Sequence, residues 1–196
     1  TGTRLVEVGR SDRLDELRFD LRLADTRTRV RMADVCRVVA EASNAGPYAG
    51  YFADLAERIG TLHPAGYLGG SIDAVLRVHG DDGPRFLVVD YKSNRLHRPG
   101  DPSWFDHYGH ESLMGAMAAH DYPLQAFLYT VALHRYLRWR LGSNYDPSTH
   151  LAGSAYLFLR GMVGTLDGDG RAFGVSTWVP PLEAVHAADR ILAGGR

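Results

Sequence analysis

The stretch Tyr67–Lys92, YLGGSIDAVLRVHGDDGPRFLVVDYK, decides the fold of this chain. Two runs rich in aliphatic and β-branched residues, 67–78 and 85–92, flank the sequence His-Gly-Asp-Asp-Gly-Pro, which is a strong turn signal. The pattern predicts an antiparallel β-hairpin.

The register of this hairpin brings three charged side chains together. A turn centred on the two aspartates places Asp73 and Asp90 nearly opposite each other, with Cβ atoms about 4.5–5.5 Å apart. Because strands alternate with period two, Asp90 and Lys92 share a face with Val88, whereas Tyr91 points the other way.

Two carboxylates that close repel each other, and both sit among apolar strand residues. Lys92 offsets only part of that repulsion, so the spacing favours a divalent cation, and Mg²⁺ prefers oxygen ligands of this kind. Such an ion acidifies its bound water, and Lys92 would then orient that water or help to deprotonate it. A structural ion cluster is the competing interpretation, and the spacing alone leaves both open.

A long helix, 123–141, follows with Pro123 at its start. Gln125 and Tyr129 are four residues apart and share a face. Two roles stay open for this pair on spacing alone: contact with a nucleotide or with the lysine, or attachment of the helix to the sheet.

The remaining pattern predicts one mixed α/β domain over residues 1–196, with a small β-sheet flanked by α-helices. The predicted strands are 15–23, 154–159 and 173–179. The other predicted helices are 30–42, 48–59, 111–119 and 182–193, and the segment 94–109, rich in proline and glycine, is predicted to be a loop.

Composition narrows the function classes. The single cysteine, Cys36, excludes an internal disulfide and a cysteine-rich zinc or iron–sulfur site, and it favours a cytoplasmic protein. A net charge of −1 gives no overall nucleic-acid signature, although a local basic surface next to an acidic site would not change that sum. No apolar run approaches the length of a membrane span.

At this point the motifs resemble a known family. Gly69-Gly-Ser-Ile-Asp73 and Val89-Asp-Tyr-Lys-Ser-Asn94 resemble the Asp…Asp-x-Lys core of the restriction-endonuclease-like superfamily. With the helix that begins Tyr122-Pro-Leu-Gln and the segment 155–161, the chain is similar to the C-terminal nuclease domains of the RecB family, which act in exonuclease V (RecBCD).

The resemblance implies a restriction-endonuclease-like core and a role for each matching residue. Asp73, Asp90 and the backbone carbonyl of Tyr91 match metal contacts, and Lys92 matches the catalytic lysine. The supporting positions that match the family are Glu16, an acidic residue near the site, and the helical pair Gln125 and Tyr129.

The resemblance also implies Mg²⁺-dependent hydrolysis of DNA in a helicase–nuclease that acts in double-strand break repair and recombination. Its implied partners are DNA, RecC, RecD and RecA, and ATP would be used by a motor that this chain lacks, since no phosphate loop is present. The family's metal-binding histidine precedes the Glu16 region and has no match here, so we expect this fragment alone to cut weakly. The alternative function is a non-catalytic DNA-binding or subunit-docking domain that keeps the fold.

Overall fold

A computed structural model describes residues 4–23, 30–42, 46–80 and 83–195. These residues form a five-stranded sheet in the order β1-β2-β3-β4-β5. β3 and β4 are parallel, and the other neighbouring pairs are antiparallel. The strands are β1 Arg13–Arg22, β2 Tyr67–Gly80, β3 Gly83–Lys92, β4 Leu151–Phe158 and β5 Val175–Trp178.

Helices flank this sheet, so the predicted mixed α/β class is confirmed. They are α1 Met32–Ala40, α2 Ala49–Ile59, α3 His110–Ala119, α4 Tyr122–Leu141, α5 Pro147–His150 and α6 Leu182–Leu192. The sequence did not predict α5, a single turn that Asp146 caps by accepting the backbone N–H of Ser148 at 2.9 Å. Within the described ranges, no helix combines the length and apolar character needed to cross a membrane.

The predicted hairpin is β2–β3, and its register is the predicted one from Ala74 opposite Val89 to the turn. Both faces of β3 are covered. Val88 lies in the main core with the helices, whereas Val89 joins a second apolar cluster on the other face with Leu76 and Leu157. Burial on both faces explains the nearly continuous apolar run of this strand.

One local feature departs from a regular hairpin. Ile72 and Val75 are three residues apart, yet both pack in the main core, so side-chain alternation breaks between them at Asp73. The neighbouring pairs of β1 and β2 place Glu16 opposite Asp73, and Glu16 has a left-handed backbone with φ 51°. Residues 74–76, Ala-Val-Leu, are all apolar, so the sequence does not show on which face of the strand each side chain lies, and the break cannot be read from a period-two pattern.

The long helix α4 covers the main-core face of the sheet. Phe127 and Val131 are fully buried in that core, and Leu137 extends it toward the hairpin turn. α4 begins beside the carboxyl end of β3, because the ring of Tyr122 lies next to Lys92. The helix therefore brings its first turns to the charged end of the hairpin.

Candidate active site

Asp90 is a buried carboxylate near the carboxyl end of β3, with only 3% of its surface exposed. Its Oδ2 atom lies 2.8 Å from Lys92 Nζ in a buried ion pair. Oδ2 has no other polar partner in the described part of the chain. Burial raises the pKa of the Asp90 carboxyl, the Asp73 charge adds to that rise, and Lys92 opposes it.

Asp73 is anchored across the hairpin by a backbone group. Its Oδ2 accepts the N–H of Tyr91 at 2.9 Å, just beyond the point where the backbone ladder of β2 and β3 ends. This bond fixes the carboxylate at the end of the hairpin where Asp90 and Lys92 lie. The structure therefore brings together the three residues that the sequence placed at the centre of the site.

Lys92 is held by polar and aromatic groups. Its Nζ donates to Gln125 Oε1 at 3.1 Å and lies 3.9 Å from the ring centre of Tyr122 and 5.1 Å from that of Tyr156. A cation over an aromatic face is attracted by the ring quadrupole. Together with the Asp90 carboxylate, these groups hold the ammonium in one place.

Gln125 links the lysine to two tyrosines. Its Oε1 also accepts the hydroxyl of Tyr156 at 2.9 Å, and its Nε2 donates to the hydroxyl of Tyr129 at 3.0 Å. Both polar atoms of the Gln125 amide are thus hydrogen-bonded, and the amide oxygen faces Lys92. Of the roles that spacing left open for Gln125, the structure places it in contact with the lysine.

Tyr122 and Tyr156 were not singled out from the sequence. Tyr156 is fully buried and lies beside Asp90 in the parallel register of β3 and β4. Burial raises the pKa of its hydroxyl, and the Asp90 charge adds to that effect, so Tyr156 acts as a hydrogen-bond donor at neutral pH. The parallel register is a tertiary feature, and no local pattern reveals it.

The sequence also distinguishes Lys92 by its residue type. Lys92 is the only lysine in the chain, and the other 21 of its 22 Lys and Arg residues are arginines. Arginine and lysine differ in size, hydration and donor geometry, so they are not interchangeable at a tight site. The one lysine of an otherwise arginine-based chain therefore occupies a site that suits a compact ammonium group.

The pairing of β1 with β2 suggests that Glu16 belongs with Asp73, Asp90 and Lys92, but its side chain does not join them. Its side chain is exposed, although the paired strands place its backbone opposite Asp73. Within the described ranges, no group of three or more His, Cys, Asp or Glu side chains is arranged to hold a metal ion. The structure therefore does not group Glu16 with Asp73 and Asp90.

The chain was compared with known proteins, and no family model matches it. It is 44% identical to "RecBCD enzyme subunit RecB" of Mycolicibacterium smegmatis over 97% of its length, and 45% identical to the RecB subunit of Mycobacterium tuberculosis H37Rv over 98%. The Escherichia coli K12 RecB subunit is 41% identical over 66% of the chain. The chain is a RecB homologue.

The similarity covers one part of these relatives. The chain spans 18% of the length of the two mycobacterial RecB proteins and 10% of the Escherichia coli one. The RecB relationship by itself says nothing about which residues here carry chemistry.

The donor set suits Mg²⁺ better than structural zinc. Mg²⁺ typically takes one or two protein carboxylates and completes its shell with water and substrate phosphate. Asp73 and Asp90 supply that number of carboxylates, and the Asp90 oxygen that is paired only with Lys92 is a ready ligand. Structural zinc sites need about four Cys or His ligands, and no such group occurs in the described residues.

Proposed function

We propose that the chain is a nuclease domain that hydrolyses DNA phosphodiester bonds with Mg²⁺. The observation that carries this proposal is the buried Asp90 carboxylate, whose Oδ2 atom has only the Lys92 ion pair in the described structure. Burying a carboxylate is costly, and a single ion pair offsets only part of that cost, so a cation ligand would stabilise Asp90 further.

Each residue of the site has a role in this reaction. Asp73 and Asp90 would hold Mg²⁺ with the backbone carbonyl of Tyr91, whereas Glu16, whose side chain is exposed, is not part of the proposed metal site. When bound there, Mg²⁺ would supply acidification of a water molecule and stabilisation of negative charge on the phosphate. Lys92 presents a positive charge beside Asp90, where it orients the attacking water and favours its deprotonation.

The relatives support a proposal for the biological setting. Their name describes a subunit of the RecBCD enzyme, and we propose that this domain acts within such a helicase–nuclease in double-strand break repair and recombination. DNA, RecC, RecD and RecA are the proposed partners. ATP would be consumed by motor sequence outside this chain.

A cleavage assay tests the proposal. Labelled DNA is incubated with excess protein, so that weak activity is detected, in Mg²⁺ or in EDTA. We expect cleavage only in Mg²⁺, at least about a hundredfold lower in Asp90→Asn and unchanged in Asp54→Asn, an exposed aspartate on α2. Binding of DNA without any cleavage by the unaltered chain would instead support the non-catalytic alternative.

A further inference from the structure

The segment that follows Lys92 lies at the same edge of the sheet as the candidate active site. Residues 93–109 leave the carboxyl end of β3, and residues 159–161 leave the carboxyl end of β4, its parallel neighbour. Arg160 Nε donates to the carbonyl of Ser93 at 2.9 Å and ties the two segments together. In sheets with parallel strands, this edge is where ligands bind.

An aromatic cluster in this segment has a buried base and an open outer layer. Tyr108 is fully buried, and its hydroxyl accepts the N–H of Leu96 at 3.3 Å. The rings of Trp104 and His97 lie over it, 6.2 and 6.1 Å from its centre, and 5.7 Å from each other. Trp104 remains 37% exposed, which packing of the loop does not explain.

Two arginines that form no ion pair within the described residues border the same rings, in a segment that also contains Asp101 and the exposed Asp106. Arg95 and Arg98 flank His97 in sequence, and both side chains are exposed. Neither forms an ion pair or a side-chain hydrogen bond with another described residue. Asp101 is already engaged, because its Oδ2 lies 2.9 Å from His107 Nε2.

We propose that Arg95, His97, Arg98 and Trp104 form a binding surface for an unpaired DNA strand at the mouth of the candidate active site. The rings would stack on bases, and the two guanidinium groups would contact phosphates. Bases in a duplex are already stacked on one another, so the surface selects an unpaired strand. The choice of DNA as the occupant rests on the proposed function, whereas the surface itself rests on exposure and charge.

Binding without metal tests the surface separately from catalysis. An oligothymidylate of about 12 nucleotides, within the site sizes of single-strand-binding domains, is titrated into the full chain in EDTA. Tryptophan fluorescence reports stacking, and the anisotropy of a labelled strand reports affinity. Trp139 is the matched control, since it is 74% exposed and lies next to Arg140 near the far end of α4.

We expect the strand to quench the fluorescence of the unaltered chain and of Trp139→Leu, but not of Trp104→Leu. Trp104→Leu should bind about fivefold to a hundredfold more weakly, the range of one base–aromatic stack, and Trp104→Phe should restore most of that loss. Arg95→Ser with Arg98→Ser should lower the slope of log affinity against log salt by about 1.4, or about 0.7 per phosphate contact.

Two results would overturn the inference. One is equal binding by the unaltered chain and by both altered forms, Trp104→Leu and the Arg95/Arg98 pair. The other is affinity for a duplex of the same length that matches affinity for the single strand. Failure of Mg²⁺-dependent cleavage would leave these measurements unchanged, so the two proposals fail independently. Thermal melting of Trp104→Leu and Trp104→Phe checks that the loop still packs on Tyr108.

Discussion

Substitution of Lys92 should affect catalysis without weakening metal binding. We expect Lys92→Ala to lower turnover by about a hundredfold or more, the effect of losing one proton-transfer group. Mg²⁺ affinity should stay equal or rise, because an ammonium group is not a ligand and its removal takes away a neighbouring positive charge. Gel assays measure cleavage, and calorimetry measures affinity. A parallel loss of Mg²⁺ affinity would mean that Lys92 chiefly holds Asp90 in place.

Tyr156 should position Lys92 without touching substrate. Tyr156→Phe removes only the hydroxyl that donates to Gln125 Oε1. We expect kcat to fall several-fold with KM unchanged, and the Nζ signal of Lys92, the only lysine, to shift in protein labelled at lysine. Tyr145→Phe is the control, since it also loses a buried hydroxyl contact, to His134 at 2.9 Å. Equal kcat losses in both variants would contradict the positioning role.

At the scale of elements, the break in β1 and β2 carries strain. A non-glycine residue in the left-handed region costs about 1–2 kcal/mol, and Glu16 is in that region inside a strand. Glu16→Gly should therefore keep or raise the free energy of unfolding, by up to about 1 kcal/mol. Arg18→Gly, at an exposed position of the same strand with ordinary φ, should lower it by roughly 0.5–1 kcal/mol. Urea unfolding measures the free energy of unfolding of both variants. A decrease in both would contradict the proposed backbone strain at Glu16.

The contact between α4 and α6 should make stability depend on pH. His134 faces Asp189, Arg135, Arg138, His186 and the hydroxyl of Tyr145. Burial lowers the pKa of His134 to about 4, and the Asp189 charge only partly opposes this.

The unfolded chain therefore takes up a proton at His134 near pH 6.5, whereas the folded chain does so only near pH 4. This contribution to stability is fully present above pH 6.5 and is lost as the pH falls toward 4, by up to about 3 kcal/mol. His134→Gln should flatten the pH dependence of urea unfolding over that window, and His79→Gln, at an exposed site, should not. An unchanged slope in His134→Gln would contradict the assignment.

The sequence was most informative where contacts are local. Apolar periodicity and the turn signal predicted the hairpin, its register near the turn and the long helix, because hairpin pairing depends on the turn between its strands. The roles of Tyr156 and Tyr122 were not predicted from the sequence. That of Tyr156 depends on the parallel pairing of β3 with a strand about 60 residues later, and that of Tyr122 depends on where α4 begins. The backbone ladder of β2 and β3 ends one pair before Asp73 and Asp90, and the irregular backbone around Asp73 was not foreseen.

At the scale of the whole molecule, the carboxylate pair links stability to Mg²⁺. The two aspartates repel each other, but only Asp90 is paired with Lys92. Asp73→Asn removes the repulsion, and its amide oxygen can still accept the N–H of Tyr91. Asp90→Asn also removes the repulsion, but it leaves the nearly buried Lys92 ammonium without its counter-charge, which is costly.

The two substitutions should therefore have different effects on the melting temperature without metal. With Mg²⁺, both should reduce the rise in melting temperature that the metal produces. In EDTA, Asp73→Asn should melt at or above the temperature of the unaltered chain, and Asp90→Asn below it. Mg²⁺ at about a hundred times its Kd should stabilise the unaltered chain by about 2.7 kcal/mol. In a domain of this size, that is a rise of roughly 5–10 °C. Both variants should lose most of this rise, since each lacks one ligand. Calorimetric melting across a Mg²⁺ series measures all three proteins, and an undiminished rise in either variant would remove that aspartate from the metal site.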